Sequence, residues 1–278
     1  MMLEFIPSSS VQAGNYTFDV KEAQPMGSAG AVTLILQTIL LPLALATGDS
    51  QITLRGGTHV SFSPTIFYIQ QVYLPMLQRM GIDAKIKLGA WGWHPQGGGE
   101  VKLLVSGGSQ IEGINLLQRG DLQRVRGLAV VTELPAHIPQ RMANRAENLL
   151  TAAGLKAAVQ TLRETGVAAG AGIFLTAEYK NSLAGFGGLG RLRLTAEKVA
   201  DMACEQLLKF HQTGAPVDEH LGDQLLLPAA LASQESQYRV AEVSTHLTTN
   251  AAVIEQFGLA RVTVDEGEKI VAVVPGSG

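Results

Sequence analysis

The chain has 278 residues, 31 of them glycine, with 46% hydrophobic residues, 16% charged residues and a net charge of −3. That apolar share is ample for one large domain or two smaller ones, and it excludes a wholly disordered chain. The near-neutral charge excludes a global electrostatic pull toward nucleic acid, so any polyanion must be held by a local site. A single cysteine, Cys204, excludes an intrachain disulfide framework and a zinc site built from thiolates, and it points to the cytoplasm.

Leu3, Phe5 and Ile6, then Tyr16, Phe18 and Val20, are spaced as in strands. Gly27 and Gly30 mark a turn before Ala31–Ala46, sixteen nearly uncharged residues. A membrane span needs about 20 such residues. This run is shorter and is interrupted by Gln37 and Pro42, so it reads as a buried core helix and no membrane partner is expected. Gln51–Leu54 reads as a strand and Ile66–Met80 as a helix, with Pro75 a bend and Gly81 a C-cap. Ala84–Leu88 and Val101–Val105 read as strands around the loop WGWHPQGGG. Those glycines suit a tight strand connection or a close backbone approach to a ligand.

From about residue 116 to 212 the pattern changes. Leu122–Val131 reads as a strand and Ile138–Ala153 as a helix with Arg141, Arg145 and Glu147 on its wet face. Leu155–Thr161 and Gly170–Tyr179 read as strands, and the glycine-rich Gly185–Arg193 precedes a helix from Thr195 to about His211 in which Cys204 is a core residue. The last part returns to the first pattern: helix Asp223–Ala232, strand Tyr238–Val243, helix Asn250–Phe257, strands Arg261–Val264 and Lys269–Val274. The recurring order helix, strand, helix, strand, strand suggests an internal repeat. The expected class is α/β (α+β), with repeated split βαβ-type units in a large domain, 1–115 and 213–278, and a smaller α/β subdomain inserted at 116–212.

None of the six histidines has HxH or HExxH spacing, and GxSxG and GxxxxGK[ST] are absent. Zinc hydrolases, common serine hydrolases and P-loop ATPases are therefore disfavoured. Ser244-Thr245-His246-Leu247-Thr248-Thr249-Asn250 is the best local constellation. It lies between a strand and a helix, and Thr248, Thr249 and Asn250 are good N-cap types. Free N–H groups at that helix start would favour a phosphate beside the imidazole, and neutral imidazole is a competent nucleophile toward phosphorus. The plainer alternative is a histidine bridging the turn. Asp223, read at a helix start, is a cap or a metal ligand.

These residues resemble the RNA 3′-terminal phosphate cyclases. The resemblance runs through GSAGAVTLILQTILLP (Gly27–Pro42), RGGT (Arg55–Thr58), Ser63-Pro64, GWHPQGGGEV (Gly92–Val101), HLGDQLLLPAALA (His220–Ala232) and THLTTNAAVIEQF (Thr245–Phe257). It implies ATP-dependent conversion of an RNA 3′-phosphate into a 2′,3′-cyclic phosphate through a covalent histidine–AMP, with a divalent metal (Mg or Mn). By the same resemblance His246 is the nucleophile, and Asp223 is the residue near nucleotide and metal. Gln37, Gln224 and His220 belong to the nucleotide site, with Pro64, Tyr68 and Phe186 where the family packs adenine. The implied partners are ATP and RNA 3′-phosphate ends.

The sequence departs from the family pattern in several places. His220 stands where tyrosine is usual, Arg191 where an acidic residue follows Gly190, and His59 where aspartate is usual. The family's opening D-G-x-x-G-E-G-G-G-Q does not occur, so the chain is expected to lack the N-terminal segment that supplies a glutamate and phosphate-binding arginines. That expectation leaves a second reading, a catalytically impaired or noncatalytic RNA-binding or ribosome-assembly protein. A third rests on fold alone, the unrelated enolpyruvyl transferases. An unpaired edge of the first sheet would favour a homo-oligomer.

Overall fold

A computed structural model describes residue 6, residues 9–23 and residues 30–276. The strand expected around Leu3 and Phe5, and Gly27 of the expected turn, lie outside the described residues. Residues 15–105 form β1 (Asn15–Asp19), the single-turn α1 (Val20–Ala23), α2 (Val32–Leu45), β2 (Ser50–Gly56), α3 (Ile66–Tyr68), α4 (Leu74–Arg79), β3 (Ala84–Ala90) and β4 (Gly99–Val105). Their sheet has the order β1-β2-β4-β3, with β1 and β2 parallel and the other pairs antiparallel. In β2 and β4 burial alternates, so Ile52, Leu54, Val101 and Leu103 face inward, as period-two side chains must. Val32, Leu36, Leu40 and Leu43 of α2 meet them. The apolar run is thus a core helix of 14 residues, and no helix among the described residues is long and apolar enough to cross a membrane.

The helix expected over Ile66–Met80 is interrupted by a π-type turn, Ile69–Tyr73, which closes with the Leu74 N–H donating to the Ile69 carbonyl. The interruption falls just before Pro75, which has no N–H and whose ring would strike the carbonyl four residues back. Gly81, at φ +88°, ends the helix as expected.

The second sheet is built from β5 (Asn115–Leu116) and the chain's last part. Between them lie β6 (Leu122–Thr132), α5 (His137–Ala152), β7 (Ala157–Glu164), β8 (Gly170–Tyr179), β9 (Leu183–Leu189) and α6 (Ala196–Thr213), which make a third sheet of order β7-β6-β8-β9 covered by two helices. The glycine-rich stretch before α6 runs largely within β9. Its small residues let neighbours approach: a Cβ at Gly185 would lie 2.8 Å from the Tyr68 ring. Cys204 is a core residue of α6. Arg141 and Arg145 of α5, read as a wet face, are ion-paired with Glu197 and Asp201 of α6.

The chain then continues through α7 (Glu219–Gln224), α8 (Leu226–Ala230), β10 (Ser236–Arg239), α9 (Thr245–Gln256), β11 (Ala260–Asp265) and β12 (Ile270–Pro275). The second sheet has the order β11-β12-β10-β5, again with one parallel pair, β5 with β10. Both sheets share one connectivity, so the repeat inferred from the recurring elements exists in three dimensions. The fold is α+β, and one continuous core joins the first two sheets through the helices between them.

Three boundaries need correction. The helix expected from Asp223 is two short helices, and it starts at Glu219 with Asp218 as N-cap. The final helix starts at Thr245 with Ser244 as N-cap, not at Asn250, so Thr248, Thr249 and Asn250 lie inside it. The strand expected over Tyr238–Val243 ends at Arg239. In the first two cases an acceptor side chain earlier in the sequence reaches back to free N–H groups, and the helix extends to meet it.

An aromatic seam joins the first sheet's unit to the third sheet. His59 lies 4.8 Å from Trp91, 5.0 Å from Trp93, 5.1 Å from Phe174 and 5.5 Å from Phe67 between ring centroids. The Thr58 hydroxyl is 2.7 Å from His59 Nδ1, and His59 Nε2 has no partner. The loop after β3 supplies both tryptophans and is tied to Thr58 through the Gly92 N–H and carbonyl. The loop joins the antiparallel neighbours β3 and β4, and neither His94 nor Gly97–Gly99 lines the cavity described below.

Burial pushes the His59 imidazole down to about 3 from 6.5. Below pH 6.5 the unfolded chain takes up a proton that the folded chain refuses, so stability is fully present above that value and lost as pH falls. The expected His59 contribution to lost stability between pH 7.5 and pH 5 is about 2 kcal/mol. Asp218 and Asp223, whose carboxyls are raised by burial, act with the opposite sign. Urea midpoints of the native chain and of His59→Asn at both pH values isolate the His59 share as their difference. Equal pH slopes for the two proteins would refute it.

Candidate active site

The first-turn geometry of α9 places the central residue. Ser244 Oγ accepts from the Leu247 N–H at 3.2 Å, leaving the N–H groups of Thr245 and His246 without partners inside the helix. His246 is exposed in that turn, so its imidazole stands beside free donors at the positive end of a 12-residue helix. One turn further on, Asn250 Nδ2 donates to Asp223 Oδ2 at 3.3 Å. Asn250 is thus a tether from α9 to the end of α7 and not a cap. Burial raises the Asp223 carboxyl above the usual carboxylate range, and the nearby His246 acts against that rise.

Asp218 organises the opposite wall. Its Oδ1 accepts from the Tyr68 hydroxyl at 2.8 Å, the His220 N–H at 3.0 Å and the Leu221 N–H at 2.9 Å. Its Oδ2 accepts from the Gly185 N–H at 3.3 Å. One buried carboxylate therefore fastens α3, α7 and β9 together. Burial raises the Tyr68 phenol well above its ordinary value, with the Asp218 charge adding to the effect. The Tyr68 ring meets His220 edge to face, with centroids 6.2 Å apart. Sequence reading missed Asp218, although an aspartate with a glutamate directly after it, both preceding an apolar run, is a helix-start signal.

These elements enclose a cavity of about 790 Å³, within the roughly 300–1,000 Å³ range of ligand sites. Gln37 from α2, Pro64 from just before α3, Tyr68 from the end of α3, Phe186 from β9, His220, Asp223 and Gln224 from α7, and His246 from α9 all line it. The eight residues singled out in the sequence, spread over more than two hundred positions, thus line one cavity. Arg191, Glu219 and Gln206 line it as well.

Among the described residues no three His, Cys, Asp or Glu side chains gather as a cage. Asp223 and Glu219 lie one helical turn apart on the cavity wall, and Gln224 Oε1 is buried with no hydrogen-bond partner. Oxygen donors of this number fit a hard cation held largely by substrate phosphates and water, and do not fit a cation held by protein alone.

A family model described as RNA 3′-terminal phosphate cyclase matches residues 1–264. A protein of that name from Nostoc punctiforme is 76% identical over 98% of this chain and 78% of its own length. One from Methylococcus capsulatus is 53% identical over 94% of this chain and 73% of its own length. One from Archaeoglobus fulgidus is 37% identical over 94% of this chain and 76% of its own length.

Proposed function

The chain belongs to the RNA 3′-terminal phosphate cyclase family, and from that premise we propose that it closes an RNA 3′-phosphate into a 2′,3′-cyclic phosphate at the expense of ATP. The observation that carries this reading is the place of His246, in the first turn of α9 on the wall of a cavity it shares with Asp223.

An imidazole nitrogen of His246 attacks the α-phosphorus of ATP, a P–N bond forms, and pyrophosphate leaves. The N–H groups of Thr245 and His246 receive the charge that develops on the phosphate oxygens. An oxygen of the RNA 3′-phosphate then attacks the same phosphorus and the P–N bond breaks. Finally the neighbouring 2′-hydroxyl attacks the RNA phosphorus, loses its proton and expels AMP. Splitting the reaction this way replaces one difficult loss of water with displacements of good leaving groups. The last step requires the 2′-hydroxyl that distinguishes RNA from DNA.

Gln37, Pro64, Tyr68, Phe186, His220 and Gln224 form the nucleotide side, with the Tyr68 ring fixed because its hydroxyl is committed to Asp218. Asp223 would hold a magnesium or manganese ion brought on the phosphates, which would neutralise their charge. The buried Cys204 suits a reducing compartment, and a cytoplasmic location belongs to the same reading. Among the described residues β1 leaves an edge of the first sheet uncovered, which supports association into a homo-oligomer.

The test uses an RNA oligonucleotide labelled in its 3′-phosphate. With ATP and magnesium the label should become resistant to phosphatase and regain sensitivity after mild acid opens the ring. An oligonucleotide ending in a 2′-deoxynucleotide should yield no such product. RNA binding with no phosphatase-resistant product would favour the noncatalytic alternative.

A further inference from the structure

We infer that Phe62 is the stacking platform for the terminal nucleobase of the RNA, and so a specificity-determining residue on the rim of the His246 cavity. The inference rests on the cyclase reading and adds to it a residue and a contact. Phe62 lines the cavity, yet its side chain is fully exposed and its backbone φ is +63°. Non-glycine side chains rarely adopt that conformation, and among the described residues Phe62 is the most exposed large hydrophobic side chain. Here both unfavourable features fall on one residue of a catalytic rim.

The loop is built to hold the ring outward. Ser63 Oγ donates to the Val60 carbonyl at 3.1 Å, and Pro64 restrains the residue before it to extended backbone. A core role is excluded by the exposure, and a turn role would be served better by glycine or asparagine. What remains is a flat apolar surface waiting to be covered.

Its occupant follows from the site. In the cyclase reading the nucleotide has Pro64, Tyr68 and His220, which line the same cavity. An RNA must enter by its 3′ end and leave across the rim, so a base of that end is the aromatic group brought to Phe62. Arg191, exposed on the same cavity wall, makes no ion pair among the described residues. An aromatic ring for a base with a free guanidinium for a phosphate is the usual equipment for single-stranded RNA. Stacking has little preference among bases, so the contact selects an unpaired end and not a sequence.

The experiment uses an RNA 3′-phosphate oligonucleotide with 2-aminopurine as its last base. On the native chain the fluorescence should fall on binding as the base stacks. Phe62→Ala should lose that quench and weaken binding by about 5- to 100-fold, and Phe62→Trp should keep both. An oligonucleotide ending in an abasic nucleotide should lose a similar factor on the native chain and nothing further on Phe62→Ala. Equal quench in Phe62→Ala, or additive losses, would overturn the assignment. So would displacement of the quench by a non-hydrolysable ATP analogue, which would give Phe62 to the nucleotide instead. A Phe62-dependent quench without cyclic product would support the stacking contact while sinking the cyclase reading. Cyclic product without that quench would sink the stacking contact alone.

Discussion

His246→Ala should abolish covalent labelling of the protein by α-phosphate-labelled ATP, with a loss of more than about 10³-fold. The basis is chemical: in the proposed first step this imidazole forms the bond to phosphorus, and no neighbouring group can take over the role without moving. His220, the other histidine on the cavity wall, is held at the edge of the Tyr68 ring on a different helix. His220→Ala should therefore weaken ATP binding and still become labelled. Because His246 is exposed, its replacement should leave the melting temperature within about 2 °C of the native value. The native label should be lost in acid and survive in alkali, as a phosphoramidate does. A label that persists in His246→Ala would place the nucleophile elsewhere and refute the assignment.

The largest effect on stability is expected at Asp218. Its replacement by alanine removes the acceptor for the Tyr68 hydroxyl and for three backbone N–H groups, all at buried or half-buried positions. Loss of a helix cap costs about 1 kcal/mol, and each buried donor left unsatisfied costs about 1–3 kcal/mol. Partial relaxation brings the expected total to about 3–5 kcal/mol, or roughly 10 °C in melting temperature. Asp218→Asn keeps the capping oxygen but turns an amide N–H toward the Gly185 N–H, so it should cost less than alanine and more than nothing.

The pH dependence adds a sign. Burial raises the Asp218 carboxyl, with backbone N–H groups and Tyr68 acting against the rise. A carboxyl raised in the fold contributes most below its unfolded value and progressively less as pH rises through its folded one. The native chain's advantage over Asp218→Asn should therefore be larger at pH 4 than at pH 7 in urea titrations. An Asp218→Ala protein as stable as the native one would show that the carboxylate fastens nothing.

How much of this was legible beforehand differs from element to element. The apolar run before Gly48 could be read as a core helix because its length and its interruptions both argue against a membrane. The repeat could be read because the same order of elements returns. The glycine-rich segment carried no readable structure in sequence, and only the packed fold shows that in β9 it admits the Tyr68 ring from another part of the chain. The start of α9 misled for a related reason: several capping residue types lie in a row, and only the backbone shows that Ser244 is the one used. Phe62 carries no pattern at all, and its exposure is invisible until the loop is built.

The amino-acid sequence alone determined the class of fold and the family resemblance, and through that resemblance the eight residues expected to form the nucleotide and catalytic set, because motifs and apolar periodicity are local properties of the chain. The tertiary structure alone decided that those eight residues line one cavity. It alone made Asn250 the tether of Asp223, and Asp218 the fastening between three separate elements. The reason is physical. Each of these relations is a hydrogen bond or a shared wall between residues far apart in sequence, and such contacts exist only once the sheets and helices have packed.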